Sequence, residues 1–300
     1  MKRLLFSLYR ILVRTISGRG MRWGRIPGLW RLHRALMHSL HPHGIIDIRV
    51  HDLTLCINAD DAGVAPALLA FGTHERYETS LFLDAIRPGA VVVDVGANTG
   101  YYALLAWQRT GSNGAVYAFE PVPDNFALLW RNVERNHAAY VTCLPHAVSD
   151  RRGSVRIFTD RDNHGMASLS LHNVNHQAAM VDAASITLDE YLLDERKARS
   201  VDVIKIDAEG AEALVLSGAR RILRDHNPCI FLEVCAYAQK NIGTDPSAMF
   251  EELKHMGYRF RLIDENERRL RDVDAPAILA RCEKAGTADV MVAREKKNAQ

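Results

Sequence analysis

Between residues 90 and 256 the hydrophobic positions alternate between short continuous apolar runs and apolar residues at helical spacing. A short continuous run indicates a buried strand, whereas apolar residues three and four positions apart indicate a helix. The pattern predicts strands over 90–95, 115–119, 141–147, 201–206 and 229–234, and helices over 101–109, 124–136, 212–223 and 246–256. Because strands and helices alternate, we expect an α/β fold with a mainly parallel sheet covered by helices on both faces.

Three regions depart from this alternation. Residues 45–57 alternate polar and apolar positions, which predicts a hairpin before the main sheet. Residues 258–263 and 288–293 predict a closing pair of strands. Residues 151–184 are rich in Asn, His and Ser, and we expect one strand followed by a long loop over the sheet edge.

The composition is that of a soluble globular chain: 48% of the 300 residues are hydrophobic and 25% are charged, which excludes a disordered or fibrous protein. The five cysteines are an odd number without CxxC spacing, which argues against a disulfide framework or a zinc site and favours a reducing compartment. No apolar stretch approaches the ~18 residues of a membrane span. The apolar run over 4–13 is interrupted by Arg10 and lacks a small-residue cleavage site, so we do not expect a signal peptide. These observations predict a cytoplasmic protein.

The positive charge is concentrated at the start of the chain. Residues 1–46 contain nine lysines and arginines and no acid, so they carry +9, and the remaining residues carry −7, for a net charge of +2. On a helical wheel, residues 3–17 have arginines on one side and leucine and isoleucine on the other. This pattern predicts a basic amphipathic helix, with residues 1–17 in peripheral contact with the inner surface of an anionic membrane. The alternatives are packing on the rest of the protein and nucleic-acid binding, which is disfavoured because the rest is acidic and contains no recognised binding module. We expect an N-terminal extension over 1–43 and one large domain over 44–296.

A glycine-containing segment, DVGANTG, lies between the first strand of the predicted sheet and a helix. Glycines at Gly96 and Gly100 let the backbone approach a cofactor and present N–H groups at the start of the helix. A tight turn without a ligand is the alternative interpretation. A dinucleotide-binding segment would need glycine at 98 and 101, but Asn98 and Tyr101 are found there. With Asp94 before the glycines, the pattern favours a cofactor that lacks a pyrophosphate.

An acidic residue ends the next strand of the predicted sheet. Glu120 follows AVYAF, precedes Pro121 and lies 20 residues beyond Gly100, the spacing that one strand–helix–strand unit requires. A carboxylate at this position can accept hydrogen bonds from both hydroxyls of a ribose. A glutamate at a strand end is usually just solvated, but its pairing with the glycine segment favours ribose binding.

Three ionisable residues follow one another at the end of the fourth strand. If the extended geometry continues beyond the strand, the side chains of Lys205, Asp207 and Glu209 lie on one side of the sheet. Burying charges there is costly unless they form ion pairs or take part in binding or catalysis. One interpretation is a Lys205–Asp207 pair, with a glutamate that caps the next helix. The other makes Asp207 or Glu209 a base or a metal ligand, joined by Glu233 at the end of the fifth strand. The spacing does not require a metal, although a divalent ion such as Mg²⁺ is compatible with it.

Taken together, these segments resemble the FkbM family of methyltransferases over about residues 75–265. The matching elements are DVGANTGYY (94–102), FEPVPDNF (119–126), AVSD (147–150), GMASL (165–169), ITLDEY (186–191), DVIKIDAEGAE (202–212) and LEV (232–234). The resemblance implies a class I methyltransferase fold with a seven-stranded sheet and S-adenosylmethionine as cofactor. It also implies O-methylation of a small-molecule or glycan hydroxyl, such as that of a sugar, a polyol or a secondary metabolite.

The resemblance also implies roles for individual residues. The implied cofactor-binding residues are Asp94, Gly96, Ala97, Asn98, Thr99, Gly100, Tyr101, Glu120, Pro121, Ala147, Val148 and Asp150. The implied catalytic residues are Asp207, Glu209 and Glu233.

A hydroxyl is a poor nucleophile near neutral pH, so methyl transfer to it benefits from a general base. Asp207 is the first candidate and Glu209 the second, with His146 and His164 as weaker candidates. Two other functions are considered. One is a catalytically silent, membrane-associated binding protein on the same fold. The other is a nicotinamide-dependent oxidoreductase, which Asn98 disfavours.

Overall fold

The computed structural model describes residues 42–160, 167–174 and 178–294. The chain divides into two compact units, which adjoin in sequence at His74 and Glu75. The amphipathic helix and membrane contact predicted for residues 1–17 lie outside the described residues, and the domain limits predicted from the sequence stay a prediction. In the part of the chain that the structure describes, no helix is both long and apolar enough to cross a bilayer.

The first unit contains the predicted hairpin. Strands β1 (Ile45–Val50) and β2 (Leu53–Asn58) pair antiparallel, and His51 in the turn between them has a left-handed φ of 51°. The hairpin is followed by helix α1 (Ala65–Phe71). The sequence prediction of a hairpin is therefore confirmed.

The second unit contains all the other elements of the residues that the structure describes. Its strands are β3 (Val91–Val95), β4 (Ala115–Phe119), β5 (Val141–Leu144), β6 (Ala147–Val148), β7 (Gly153–Thr159), β8 (Ala167–Ser168), β9 (Ala179–Ile186), β10 (Val203–Ile206), β11 (Cys229–Val234), β12 (Tyr258–Asp264), β13 (Arg269–Val273) and β14 (Ala288–Arg294). Its α-helices are α2 (Arg76–Ala85), α3 (Tyr101–Thr110), α4 (Pro123–Arg135), α5 (Glu212–Ser217), α6 (Arg220–Asp225), α7 (Ala236–Asn241), α8 (Pro246–His255) and α9 (Ala275–Ala285). A 3₁₀ helix (Leu171–Asn173) and a π-helix (Asp189–Glu195) complete the unit.

The main sheet has the strand order β13-β12-β14-β11-β10-β3-β4-β5. The five strands from β11 to β5 are parallel, and β14, β12 and β13 extend the sheet antiparallel. The predicted mainly parallel α/β sheet is thus confirmed, with eight strands where seven were expected. The eighth is β13, which pairs with β12 at the edge of the sheet.

Two inner strands of this sheet, β3 and β10, are apolar except for Asp94 and Lys205, which are both buried. Val92 and Val93 on β3 and Ile204 on β10 have no solvent exposure, as expected for strands covered on both faces. The chain runs outward from β3 to β5 and then returns to β10 on the other side of β3. The strand order therefore reverses between β3 and β10, the place where ligands of such sheets bind.

A second sheet, with the order β6-β9-β7-β8, replaces the strand and long loop that we expected over 151–184. Strands β7 and β9 pair antiparallel over seven residues. Of the residues of β7, only Ile157 is fully buried. The strand therefore lacks the continuous apolar run that would predict a core strand from the sequence. The predicted strand over 141–147 is also divided, because β5 ends at Leu144 and β6 joins the second sheet.

The helix predicted over 212–223 is two helices, α5 and α6, separated at Gly218. A Cβ atom at Gly218 would lie 2.1 Å from the backbone oxygen of Ser149. The backbone of residue 218 therefore approaches the backbone of residue 149 more closely than any side chain would allow.

Candidate active site

A cleft lies at the carboxyl ends of β3, β4 and β10, where the strand order reverses. Its volume is about 720 Å³ including the open mouth. Eight of the residues predicted from the sequence line it: Gly96, Asn98, Glu120, Pro121, Ala147, Val148, Asp207 and Glu209.

The glycine segment passes directly over the backbone that follows β10. Gly96 has a φ of +79°, and a Cβ atom there would lie 1.8 Å from the backbone oxygen of Asp207. The N–H groups of Gly96 and Ala97 both donate to the carbonyl oxygen of Phe119, at 3.0 Å each. Only glycine fits at position 96, because the segment is held between the ends of β4 and β10.

Five predicted residues in or directly after the same segment are not among those that line the cleft: Asp94, Ala97, Thr99, Gly100 and Tyr101. They are buried and hold the segment from behind. The Thr99 carbonyl accepts a hydrogen bond from the side-chain amide of Asn132 at 2.8 Å. The Tyr101 hydroxyl lies 3.2 Å from that of Thr79. The structure thus separates the segment into residues that face the cleft and residues that fix its shape.

Glu120 is buried and oriented by the backbone. Its Oε2 accepts from the N–H of Asn98 at 2.8 Å, and its Oε1 accepts from the N–H of Val122 at 2.9 Å. Burial raises the pKa of Glu120 to about 7, against the hydrogen bonds from Val122, Asn98 and Asn125, which lower it. Since each carboxylate oxygen can accept more than one hydrogen bond, the group can still accept from two hydroxyls of a ligand.

Asp94 is a buried acceptor with unused capacity. Burial raises the pKa of Asp94 to about 7, with Lys205 opposing this shift and Asp207 adding to it. Its Oδ2 has no hydrogen-bond partner among the described residues. A ligand that carries an N–H donor would satisfy this oxygen, whose isolation costs about 1–3 kcal/mol.

The second sheet supplies an apolar wall that the sequence did not predict as part of the site. Val155, Ile157, Ala167 and Leu169 line the cleft beside Ala147 and Val148, a surface suited to a planar base. Of the four, Ala167 and Leu169 belong to a matching element of the sequence, GMASL, whereas β7 carries no such signal. Asn125, Ser149 and His146, a weaker base candidate from the sequence, also line the cleft, whereas the other such candidate, His164, lies outside the described residues. Asp150, predicted to border the cofactor, is exposed, and its Oδ1 accepts from the Ser149 hydroxyl at 3.1 Å.

On the other side of the cleft, the segment after β10 is strained. Glu209 has a left-handed φ of 48° and Gly210 a φ of +104°, and a Cβ atom at Gly210 would lie 2.7 Å from that of Ala238. The Gly210 N–H donates to Glu212 Oε1 at 2.8 Å, so Glu212, the first residue of α5, holds the turn before that helix. Burial raises the pKa of Glu209 to about 8, and the neighbouring charges of Asp207 and Glu212 add to the shift. A buried carboxyl in a strained turn at a cleft is typical of functional sites.

Glu233 does not line the cleft, although the charge of Asp207 acts on it. It pairs in register with Asp289 of β14. The charge of Asp207 and burial raise the pKa of Glu233 well above its ordinary value. The structure therefore brings Asp207 and Glu209 together at the cleft and leaves Glu233 behind them.

Lys205 pairs with Glu78 of α2, a residue that the sequence did not indicate. Its Nζ lies 3.2 Å from Glu78 Oε1, and the two side chains are 1% and 2% exposed. Carboxylate oxygens of Glu75, Glu78 and Asp289 lie within 4.8 Å of one another, and the Lys205 ammonium supplies the cation that their mutual repulsion requires. No motif marks Glu75, Glu78 or Asp289, because they come from distant segments that only the fold brings together.

A family model described as the methyltransferase FkbM domain matches residues 94–260 of the chain. The hexuronic acid methyltransferase AglP of Haloferax volcanii is 30% identical over 166 residues, which cover 55% of this chain and 62% of that protein. The 31-O-demethyl-FK506 methyltransferase FkbM of Streptomyces tacrolimicus is 29% identical over 162 residues, covering 44% of this chain and 60% of that protein. The chain thus spans about three fifths of the length of these relatives. A crystal structure of methyltransferase FkbM from Methylobacillus flagellatus KT aligns with a TM-score of 0.40 at 16% identity, covering 76% of this chain and 52% of that one.

Proposed function

Because the chain belongs to the FkbM family of methyltransferases, we propose that it transfers a methyl group from S-adenosylmethionine to a hydroxyl oxygen of a sugar or similar polyol. S-Adenosylmethionine is the cofactor of this fold. The observation that carries the proposal is that Asp207 and Glu209 line the same cleft as the glycine segment and Glu120.

The donor side of the cleft fits this cofactor by its chemistry. Glu120 would accept the ribose hydroxyls, and the apolar wall around Val155 and Ile157 would hold the adenine. The unpartnered oxygen of Asp94 would accept from the amino group of the methionine moiety. When bound, the cofactor supplies a methyl group on a positively charged sulfur, so the protein needs mainly to align the reactants and exclude water.

The acceptor hydroxyl needs a base, and the three candidate carboxyls differ. Burial and neighbouring charges raise the pKa of Glu209 to about 8 and that of Glu233 well above its ordinary value. A carboxyl that keeps its proton at neutral pH cannot accept another. Asp207 is therefore the proposed base, for which a rate contribution of ~10²–10⁴ is typical.

The negative charge beside the cleft favours an uncharged acceptor group. Asp207, the proposed base, would repel an acceptor carboxylate in its ionised form, whereas both Asp207 and Glu209 can form hydrogen bonds with hydroxyls. The relative in Haloferax volcanii acts on a hexuronic acid, as its name states, which supports a sugar acceptor. Within that class we propose a hydroxyl rather than a carboxylate as the methylated group.

The test is transfer of labelled methyl from S-adenosylmethionine to a panel of neutral methyl glycosides and methyl hexuronides. Methyl ethers survive mild alkali and methyl esters do not, so alkali distinguishes the two products. We expect ether formation, and ester formation alone would overturn the hydroxyl proposal. Donor binding without transfer to any panel member would favour the catalytically silent alternative.

The proposed base is tested with Asp207→Asn. Turnover should fall by ~10²–10⁴, with donor affinity nearly unchanged, because the amide keeps the shape and loses the basicity. Asp225→Asn, at the exposed end of α6, is the matched control and should leave turnover unchanged. If donor binding collapses in Asp207→Asn, Asp207 is a donor-binding or structural residue instead.

A further inference from the structure

The strained turn that carries Glu209 is held from the second sheet by a serine. Residues 208–211 form this turn (the Glu209 turn), in which the Ala211 N–H donates to the Ala208 carbonyl at 3.0 Å. Glu209 has a left-handed φ of 48°, which a residue other than glycine keeps only where its surroundings hold it. Ser168, the last residue of β8, is 3% exposed, and its hydroxyl donates to the Glu209 carbonyl at 2.9 Å. The second sheet therefore contacts the backbone of the turn directly.

Two asparagines fix the direction in which the Ser168 hydroxyl donates. The side-chain amide of Asn173 donates to the Ser168 oxygen at 2.7 Å and to the Ala238 carbonyl at 3.2 Å. The Asn173 side-chain oxygen accepts from the amide of Asn241 at 2.6 Å. An amide nitrogen cannot accept a hydrogen bond, so the single hydrogen of the Ser168 hydroxyl goes to the Glu209 carbonyl. The three side chains thus form a chain of hydrogen bonds that ends at the Glu209 turn.

The residues on either side of Ser168 line the donor side of the cleft. Ala167 and Leu169 are among the lining residues, whereas the Ser168 hydroxyl contacts the Glu209 turn. Neighbouring side chains of a strand point to opposite sides, so one short segment serves two surfaces. A cofactor that fills the cleft contacts Ala167 and Leu169, and it restricts the backbone of Ser168 between them. Three consecutive residues therefore connect the donor with the Glu209 turn.

We propose that Ser168 is a positioning residue that couples the donor side of the cleft to the Glu209 turn: its hydroxyl, oriented by Asn173, holds the turn, and bound S-adenosylmethionine strengthens that contact. Donor binding then orders the turn before the acceptor arrives. This inference rests on the proposed function, in which Glu209 faces the acceptor. Because coupling between two sites is reciprocal, an ordered turn also favours donor binding.

The test follows hydrogen exchange of single amides in the full-length protein, with and without S-adenosylmethionine, and needs no acceptor. The Gly210 N–H donates to Glu212 at 2.8 Å and the Ala211 N–H to Ala208, so the exchange of these two amides reports opening of the turn. In the parent, S-adenosylmethionine should slow both by roughly threefold to tenfold, the effect of about one hydrogen bond.

Two variants interrupt the chain of hydrogen bonds in different ways. Ser168→Ala removes the hydroxyl. Asn173→Asp keeps the shape of the side chain, but a carboxylate cannot donate, and it competes with the Glu209 carbonyl for the hydrogen of Ser168. In both variants S-adenosylmethionine should still bind, as calorimetric titration shows, but should no longer slow exchange in the turn. Ser168→Thr retains a hydroxyl and should respond to the donor as the parent does.

The matched control is Ser185→Ala in β9 of the same sheet. Ser185 is also 3% exposed, and its hydroxyl also donates to a backbone carbonyl, that of Arg151 at 3.1 Å. Neither residue lines the cleft, so this variant should keep the parent's response to the donor.

Exchange in the turn that S-adenosylmethionine leaves unchanged in the parent, or slows equally in Ser168→Ala, would overturn the proposal. A serine that only stabilises the fold would change exchange by the same factor with and without the donor. If thermal unfolding shows that Ser168→Ala is not folded, the isosteric Asn173→Asp decides. Because no methyl group is transferred in this measurement, its failure is distinguishable from failure of the proposed function, which the glycoside panel tests separately.

Discussion

The donor half and the acceptor half of the cleft meet where Gly96 passes over Asp207, and they are built by different means. In the donor half, backbone hydrogen bonds fix the geometry: the N–H groups of Gly96, Ala97 and Asn98 all donate to acceptors at the end of β4. The carboxylate of Glu120 is likewise oriented by backbone groups, the N–H groups of Asn98 and Val122. The shape of this half is therefore set by a few consecutive residues.

The acceptor half consists of charged side chains from distant parts of the chain. Glu78, Lys205 and Asp289 lie on three different elements. The charge of Lys205 lowers the pKa of both carboxyls, and the charge of Glu78 raises the pKa of Lys205. We therefore expect the donor half to be sensitive to atoms added to its backbone, and the acceptor half to be sensitive to the removal of charged groups.

Gly96→Ala is the strongest test of the donor half. The added Cβ would lie 1.8 Å from the backbone oxygen of Asp207, which belongs to a strand end and cannot move freely. We expect S-adenosylmethionine affinity to fall by roughly a hundredfold or more, measured by calorimetric titration, with a lower unfolding temperature. The matched control is Gly243→Ala, whose φ of +82° is nearly the same but which has no atom within 4 Å of the new Cβ. Equal losses in both variants would show that backbone strain matters and the close approach to Asp207 does not.

Glu120→Ala tests the carboxyl to which the proposal assigns the ribose hydroxyls. Loss of two hydrogen bonds to a charged group should weaken donor binding roughly tenfold to a hundredfold. Burial raises the pKa of Glu120 to about 7, and its ionised form is the better acceptor. Donor affinity should therefore rise between pH 6 and pH 8 in the parent, and this rise should shrink in the variant.

Calorimetric titrations across that pH range, with the exposed Glu134→Ala as control, measure both effects. An unchanged pH dependence in Glu120→Ala would assign the titration to Asp94, whose pKa burial also raises to about 7.

The sequence predicts the donor half better than the acceptor half, for a physical reason. Gly96 and Glu120 lie within one strand–helix–strand unit, so spacing along the chain translates directly into distance in space. Glu78 comes from a helix that precedes the sheet, and its ion pair with Lys205 depends on the packing of α2, which no local pattern indicates. The same applies to Ile157, whose strand is too polar to resemble a core strand although it forms a wall of the cleft.

Tyr237→Ala tests whether an uncharged side chain also contributes to acceptor binding. Tyr237 is 65% exposed on α7, next to Ala238, which packs against Gly210 directly after Glu209. The 3₁₀ helix is bound to the same place, since the Asn173 side chain donates to the Ala238 carbonyl at 3.2 Å. We expect this exposed aromatic ring, on the helix that packs against the segment after Glu209, to stack on the face of an acceptor sugar. Its loss should raise the acceptor KM about threefold to tenfold, as expected for one aromatic contact.

Because Tyr237 touches neither the donor side nor Asp207 in this interpretation, kcat and donor affinity should stay unchanged in Tyr237→Ala. Tyr237→Phe keeps the ring and should behave like the parent. The control is Tyr140→Ala, which removes a ring that is 46% exposed just before β5, at the opposite edge of the sheet. A fall in kcat at constant KM would contradict stacking, since it would mean that the ring supports the segment around Glu209 rather than the sugar. In that case the acceptor half would depend on shape as well as charge, and its contrast with the donor half would be smaller.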